Sequence, residues 1–255
     1  MTQTIHIRDD GEGFPIVWIH GFPLSSAMFE PQTRIAGYRH IRPDLPGFGD
    51  TAPREGEATM AGYARNVLEA MDALRIETAV VAGFSMGGYV AMQLLREAPQ
   101  RVAALLLLDT RETADSEEGR AGRLKTAAEV EAGGTGVVIE SMLPKMVARE
   151  SLRPEVRRIM ETASAQGVVG ALRAMAARPD SAATLQATPV PTLIVVGDRD
   201  AITPPTDAER MKAMMQHAEL APIAHAAHMA NYEAAEQVNH ITAAFLERYL
   251  NYEKP

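Results

Sequence analysis

Short, mostly apolar runs recur along this chain, and they restrict its fold more than any other feature. Ile16-Val-Trp-Ile19, Arg39-His-Ile-Arg42, Ala79-Val-Val-Ala82, Val102-Ala-Ala-Leu-Leu-Leu-Leu108 and Pro191-Thr-Leu-Ile-Val-Val196 are each bounded by turn residues. Segments of this kind are too short for surface helices and read as strands buried on both faces of a parallel sheet. Helical patterns lie between them. Tyr63, Val67, Met71 and Leu74 share one face of a stretch from Met60 to Leu74, and Val90 to Leu95 carry a second helix that Pro99 stops. Further helices are expected near Asp207 to Met215 and from about Val238 to Leu250, with a strand near Glu219 to Ile223. Strand alternating with helix is the order of an α/β sheet.

From Thr110 to about Gln186 the strand signal stops. Ala, Glu, Arg and Met dominate there, punctuated by Gly133-Gly134, Pro144, Pro154, Gly167, Gly170 and Pro179, which predicts several short helices. Because strands resume afterwards, residues 110–186 read as a helical insertion into one core domain formed by 1–109 and 187–255. At 255 residues the chain is long enough for such a core.

The strand at Ala79 runs directly into Gly83-Phe84-Ser85-Met86-Gly87-Gly88 and a following helix. This is G-x-S-x-G in a strand-turn-helix setting, where small residues allow a turn sharp enough to project Ser85 above the sheet edge. With no cysteine in the chain, a nucleophile has to be an oxygen or a nitrogen. A serine hydroxyl is weak at neutral pH, so it needs a histidine base and a carboxylate to fix that base's tautomer. Downstream come an acidic turn, Gly197-Asp198-Arg199-Asp200, and a histidine loop, His225-Ala-Ala-His228-Met-Ala-Asn-Tyr-Glu233. Asp198, Asp200 and Asp109 compete for the acid, and His225 and His228 for the base. The Met86 amide, at the start of the helix, is placed to stabilise an oxyanion.

Four segments in this order, His20-Gly-Phe-Pro23, Asp44-Leu-Pro-Gly-Phe-Gly49, Gly83 to Gly88 and the paired late turns, make the chain resemble the α/β-hydrolase superfamily over nearly its whole length. Within it the chain looks most like small bacterial esterases, 3-oxoadipate enol-lactonase-like hydrolases and cofactor-free haloperoxidases. The resemblance implies an α/β-hydrolase fold whose helical insertion is a cap. It implies Ser85, Asp200 and His228 as catalytic triad, Phe22 N–H as second oxyanion donor beside Met86 N–H, and His20 as a support for that loop. The implied activity is hydrolysis of a small, largely apolar carboxylic ester or lactone. Carbon-carbon hydrolysis, thioester hydrolysis, perhydrolysis and a non-catalytic receptor are the alternatives. A serine at the elbow disfavours dehalogenase and epoxide-hydrolase chemistry, and only Lys125 and Lys145 in the insertion could supply the pocket lysine of a hydroxynitrile lyase.

No cofactor and no metal are expected: His225-x-x-His228 lacks the Glu of H-E-x-x-H, and Gly47-Phe-Gly49 is no dinucleotide fingerprint, since Ala52 replaces its third glycine. With 25 basic against 33 acidic residues, net charge -8, a nucleic-acid partner is disfavoured. No apolar stretch has spanning length, and the amino end carries no signal-peptide pattern, so no membrane partner and a cytoplasmic location are expected. Met142, Met146, Met160 and Met175 are candidates for an apolar pocket or simply for core packing. Oligomeric state is left open.

Overall fold

The computed structural model describes residues 5–54, 56 and 58–250; the first four residues, on which part of the amino-end reading falls, lie outside them. Seven strands form one sheet: β1 (Ile7–Asp10), β2 (Phe14–Ile19), β3 (Tyr38–Pro43), β4 (Ala79–Phe84), β5 (Val102–Leu108), β6 (Thr192–Gly197) and β7 (Ala218–Ile223). Their order is β1-β3-β2-β4-β5-β6-β7, parallel throughout except for β1, which runs antiparallel to β3. The expected α/β class and mostly parallel sheet are therefore present.

Period-two alternation sends successive strand residues to opposite faces, and here both faces are covered. Val17, Ile19, Val81, Leu105, Leu107 and Ile194 pack on one side with α1 (Met60–Ala73) and α2 (Met86–Glu97). Ile16, Trp18, Val80, Leu106, Leu108 and Val195 pack on the other. This explains why the strands read as continuous apolar runs. Leu105 to Leu108 are fully buried, and truncating any one of them to Ala would cost about 2–5 kcal/mol.

Between β5 and β6 the chain forms five helices: α3 (Glu117–Gly133), α4 (Gly136–Met146), α5 (Arg153–Met160), α6 (Ala165–Ala176) and α7 (Ala182–Ala187). Ser116 and Ser164 cap α3 and α6 by accepting from Gly119 N and Gly167 N. Then come α8 (Pro205–Met214), a single-turn α9 (Ala230–Glu233) and α10 (Ala235–Tyr249). The helical segment rests on the core where Gly167 meets Gly47. The Gly47 carbonyl accepts from Ser164 N at 2.9 Å, and a Cβ on Gly167 would lie 2.3 Å from that same oxygen.

Strand β1 and the 3-10 segment Ser26–Arg34 escaped the sequence pattern, as did the short turns Pro99–Arg101 and Ala230–Glu233. Strand β1 reads Ile-Arg-Asp-Asp and exposes three of its four residues, so no apolar period marks it. The 3-10 segment Ser26–Arg34 buries Met28, Phe29 and Gln32, but Pro31 inside it speaks against a helix. Among the described residues no helix is long and apolar enough to cross a membrane.

Candidate active site

Ser85 stands between the last residue of β4 and the first of α2 with φ 51° and ψ -114°. A non-glycine residue there is strained, by roughly 1–3 kcal/mol, and persists only when its surroundings over-determine it. They do. Ser85 N donates to the Leu108 carbonyl at 2.9 Å, and its own carbonyl accepts from Gly88 N at 2.9 Å and from the Thr110 hydroxyl at 2.8 Å. The flanking glycine is obligatory: a Cβ on Gly87 would sit 2.0 Å from the Ile19 carbonyl oxygen.

The fold brings together the three side chains singled out in the sequence. Ser85 Oγ is 2.9 Å from His228 Nε2, and His228 Nδ1 is 2.8 Å from Asp200 Oδ2. Asp200 leaves β6 in a tight turn whose amides converge on it. Its Oδ1 accepts from Ile202 N at 2.7 Å and Thr203 N at 3.0 Å, and its Oδ2 accepts from the Thr203 hydroxyl at 2.6 Å. Burial alone would raise the Asp200 carboxyl, but the bonds from His228 and Thr203 outweigh it and hold it below the ordinary carboxylate range. An ionised Asp200 accepts the Nδ1 proton, which leaves Nε2 as the lone-pair nitrogen facing the Ser85 hydroxyl.

The rival residues lie elsewhere. Asp198 and His225 are exposed, and His225 Nδ1 faces the Arg199 guanidinium at 3.0 Å. Asp109 is fully buried at the end of β5 with φ 44°, accepting from Gly197 N at 2.8 Å and Ala230 N at 3.3 Å. Burial, reinforced by the nearby Asp200 charge, pushes its carboxyl well above the ordinary range. Asp109 thus links the acid turn to the histidine loop without touching His228.

The loop after β2 is equally fixed. His20 donates from Nδ1 to the Gly21 carbonyl at 3.0 Å and accepts at Nε2 from Leu45 N at 3.0 Å. Burial pushes its pKa down, so the ring is neutral, as those two roles require. A Cβ on Gly21 would strike the Phe84 ring at 2.5 Å, so only glycine fits where this loop packs against the end of β4. Met86 N opens α2, where first-turn amides have no carbonyl partner within the helix.

Two contributors carried no sequence signal. Thr203 braces Asp200, as above. Glu233, buried in α9, accepts from Ala227 N at 2.6 Å and from Arg149 N at 2.7 Å, while its carbonyl accepts from Arg149 Nη2 at 3.0 Å. Met229 N donates to the Met146 carbonyl at 2.8 Å. The residues on both sides of His228 are thereby tied to segment 146–149 of the helical insertion. The five-residue spacing from His228 to Glu233 was visible in the sequence, but its meaning depends on where Arg149 comes to rest.

A cavity of about 420 Å³ opens beside Phe22, walled by Arg111, Asp115, Arg123, Met142 and Leu172. Of the four methionines, Met142 lines this cavity, whereas Met146, Met160 and Met175 are buried in the core. Lys125 and Lys145 are exposed. His6, Asp44 and Asp50 place ligand atoms within 4.8 Å of one another. Asp44 there already accepts from Ser26 N at 2.7 Å and Asp50 N at 3.1 Å, and it meets His6 Nδ1 at 3.1 Å, which knots the loop.

Comparison with known proteins agrees with this geometry. The chain is 32% identical to the AB hydrolase superfamily protein YisY of Bacillus subtilis (strain 168), over 95% of each chain. It is 27% identical to 3-oxoadipate enol-lactonase 1 of Acinetobacter baylyi, over 96% of this chain and 93% of that one. A solved esterase from Thermogutta terrifontis, 34% identical, superposes with a TM-score of 0.92 over 96% of this chain and 93% of its own. The resemblance to esterases and enol-lactonases expected from the motifs is thus shown. Residues 16–241 match the model of the alpha/beta hydrolase family, and the chain belongs to that family.

Proposed function

We propose that this protein is a serine hydrolase that cleaves a small carboxylic ester or lactone through an acyl-enzyme on Ser85. The observation that carries this reading is the continuous chain of hydrogen bonds from Ser85 Oγ through His228 to Asp200, at 2.9 and 2.8 Å. Ser85 Oγ attacks the carbonyl carbon as its proton passes to His228 Nε2, and the carbonyl oxygen becomes an oxyanion between Phe22 N–H and Met86 N–H. The intermediate collapses, the carbon–oxygen bond to the alcohol breaks, and the departing alkoxide takes the proton from Nε2. His228 then deprotonates a water that attacks the acyl-enzyme, and the carboxylic acid leaves as Ser85 recovers its proton. Asp200 holds the tautomer and stabilises the imidazolium. The helical insertion, residues 110–186, serves as a cap over this site.

The test is turnover of p-nitrophenyl acetate together with labelling by an organophosphonate. One label per chain on Ser85, turnover in the wild type and none in a folded Ser85→Ala variant are expected. Wild-type hydrolysis in that variant would overturn the proposal. Tight ligand retention without turnover in the wild type would mark a receptor instead.

A further inference from the structure

The wall of the cavity beside Phe22 carries a charge imbalance that ester hydrolysis by itself does not require. Asp115 serves two arginines at once: Arg123 Nε lies 2.5 Å from its Oδ2 and Arg178 Nη1 2.7 Å from its Oδ1. Burial would raise the Asp115 carboxyl, but the two guanidiniums outweigh it and hold it below the ordinary range, so it is ionised. Arg178 also lies over the Tyr89 ring, 4.2 Å from its centre. Next to this group, Arg111 Nε is 3.4 Å from Asp207, and Asp207 and Glu112 both pair with Arg210. Among the described residues these four guanidiniums are ion-paired to three carboxylates, Glu112, Asp115 and Asp207, which leaves one positive charge without a counterpart.

That excess belongs to Arg123 and Arg178, which share Asp115, since Asp207 and Glu112 match Arg111 and Arg210; Arg111 stands on the same cavity wall as Arg123 and lies close to the chemistry. Arg111 directly follows Thr110, whose hydroxyl binds the Ser85 carbonyl, and its Nη2 donates to the Ile202 carbonyl in the turn that holds Asp200. Arg111 and Arg123 line the same cavity as Phe22, while Val138, Met142 and Leu172 give it an apolar side. A guanidinium recognises a carboxylate through paired donors and a delocalised charge.

From this arrangement we infer that the substrate carries a carboxylate of its own, separated from the scissile carbonyl by a short apolar spacer and held at Arg111 and Arg123. This rests on Ser85 being the nucleophile, and it replaces the largely apolar substrate expected from the sequence with an amphiphilic one. A carboxylate monoanion matches a single uncompensated charge.

The experiment compares matched substrates in a pH-stat: monomethyl adipate against methyl hexanoate for a charge on the acyl side, and 4-acetoxybenzoate against its methyl ester for a charge on the leaving side. In the wild type the anionic member of at least one pair should win in kcat/KM by about tenfold or more, and added salt should shrink that advantage. Arg111→Met and Arg123→Met should each collapse the ratio. Reading a ratio within one variant cancels any general loss from disturbing the turn at Ile202. Lys125→Met, which removes a charge from α3 outside the cavity, should preserve it. Ser85-dependent turnover with no anionic preference in either pair would overturn the inference while leaving the hydrolase reading intact, as would an equal collapse in Lys125→Met. As a second readout, adipate should slow organophosphonate labelling of Ser85 more than hexanoate does; equal protection would count against the inference. A wild-type chain that neither labels at Ser85 nor cleaves any of the four esters would overturn both readings.

Discussion

Two buried aspartates lie within one network, and their surroundings assign them opposite states. Asp200 gathers donors from His228, Ile202 and Thr203 and is held low; Asp109 has two amides, full burial and a neighbouring negative charge, and is held high. Substitution separates their roles. Asp200→Asn removes the acceptor that fixes the Nδ1 proton and should lower kcat on the order of 10⁴-fold. Asp109→Asn keeps an oxygen for Gly197 N, so kcat should stay within about tenfold, on the scale of a positional disturbance. Steady-state kinetics of the two variants checks this, and an equal collapse of both would make Asp109 part of the proton relay. From the sequence Ser85 was legible because its glycine frame is a steric necessity. Choosing Asp200 over Asp109 needed the family resemblance, since both leave the carboxyl ends of adjacent strands and only the turn geometry tells them apart.

At the level of elements, the histidine loop depends on the helical insertion. Glu233 accepts amides from Ala227 and Arg149, so both carboxylate oxygens face N–H donors. Glu233→Gln turns one of those oxygens into a donor and sets N–H against N–H. It should lower kcat by about 10- to 100-fold with a small change in KM, since the loss falls on placement of His228 rather than on substrate contacts. Unchanged kcat in a folded Glu233→Gln variant would show that His228 is placed without this tie. The Gly47–Gly167 contact leads to a second expectation: Gly167→Ala must push α6 off the loop and should lower the melting temperature by several degrees, roughly 1–3 kcal/mol of overpacking. A variant that melts with the wild type would mean that α6 shifts without cost. Most strands and helices could be read in advance because each buries a regular apolar face. The ties of Glu233 and Gly167 could not, because they join residues more than 80 and 100 positions apart in the chain.

Across the whole molecule, buried neutral histidines set the acid limit of stability. His20 and His40 are pushed below their ordinary value chiefly by burial. As pH falls below about 6.5 the unfolded chain takes up protons that these rings cannot accept in place, so it binds more protons than the native state and stability declines. Asp200 adds to the loss at lower pH, where its native carboxylate resists a proton that the unfolded chain accepts. Asp109 works in the opposite direction: its native carboxyl keeps a proton that the unfolded chain releases, so its contribution is largest in acid and fades as pH rises. The melting temperature should drop from about pH 7 to about pH 5, where the two histidines outweigh Asp109, and thermal melts of the wild type and of Asp109→Asn across that range test it; a flat profile in both would mean that these rings protonate in place.

The small antiparallel strand at the start of the sheet also has a consequence for self-association. β1 covers the flank of β3 and turns Arg8, Asp9 and Asp10 outward, with Arg39 and Arg42 paired to the two aspartates. A polypeptide shortened to begin at Gly13 would lose residues 1–12, among them the four of β1, which read like surface decoration. It would bare the peptide groups of a strand backed by a dry interior, inviting a second molecule to add its own strand there. The least conspicuous stretch of the sheet is the one that covers the β3 flank.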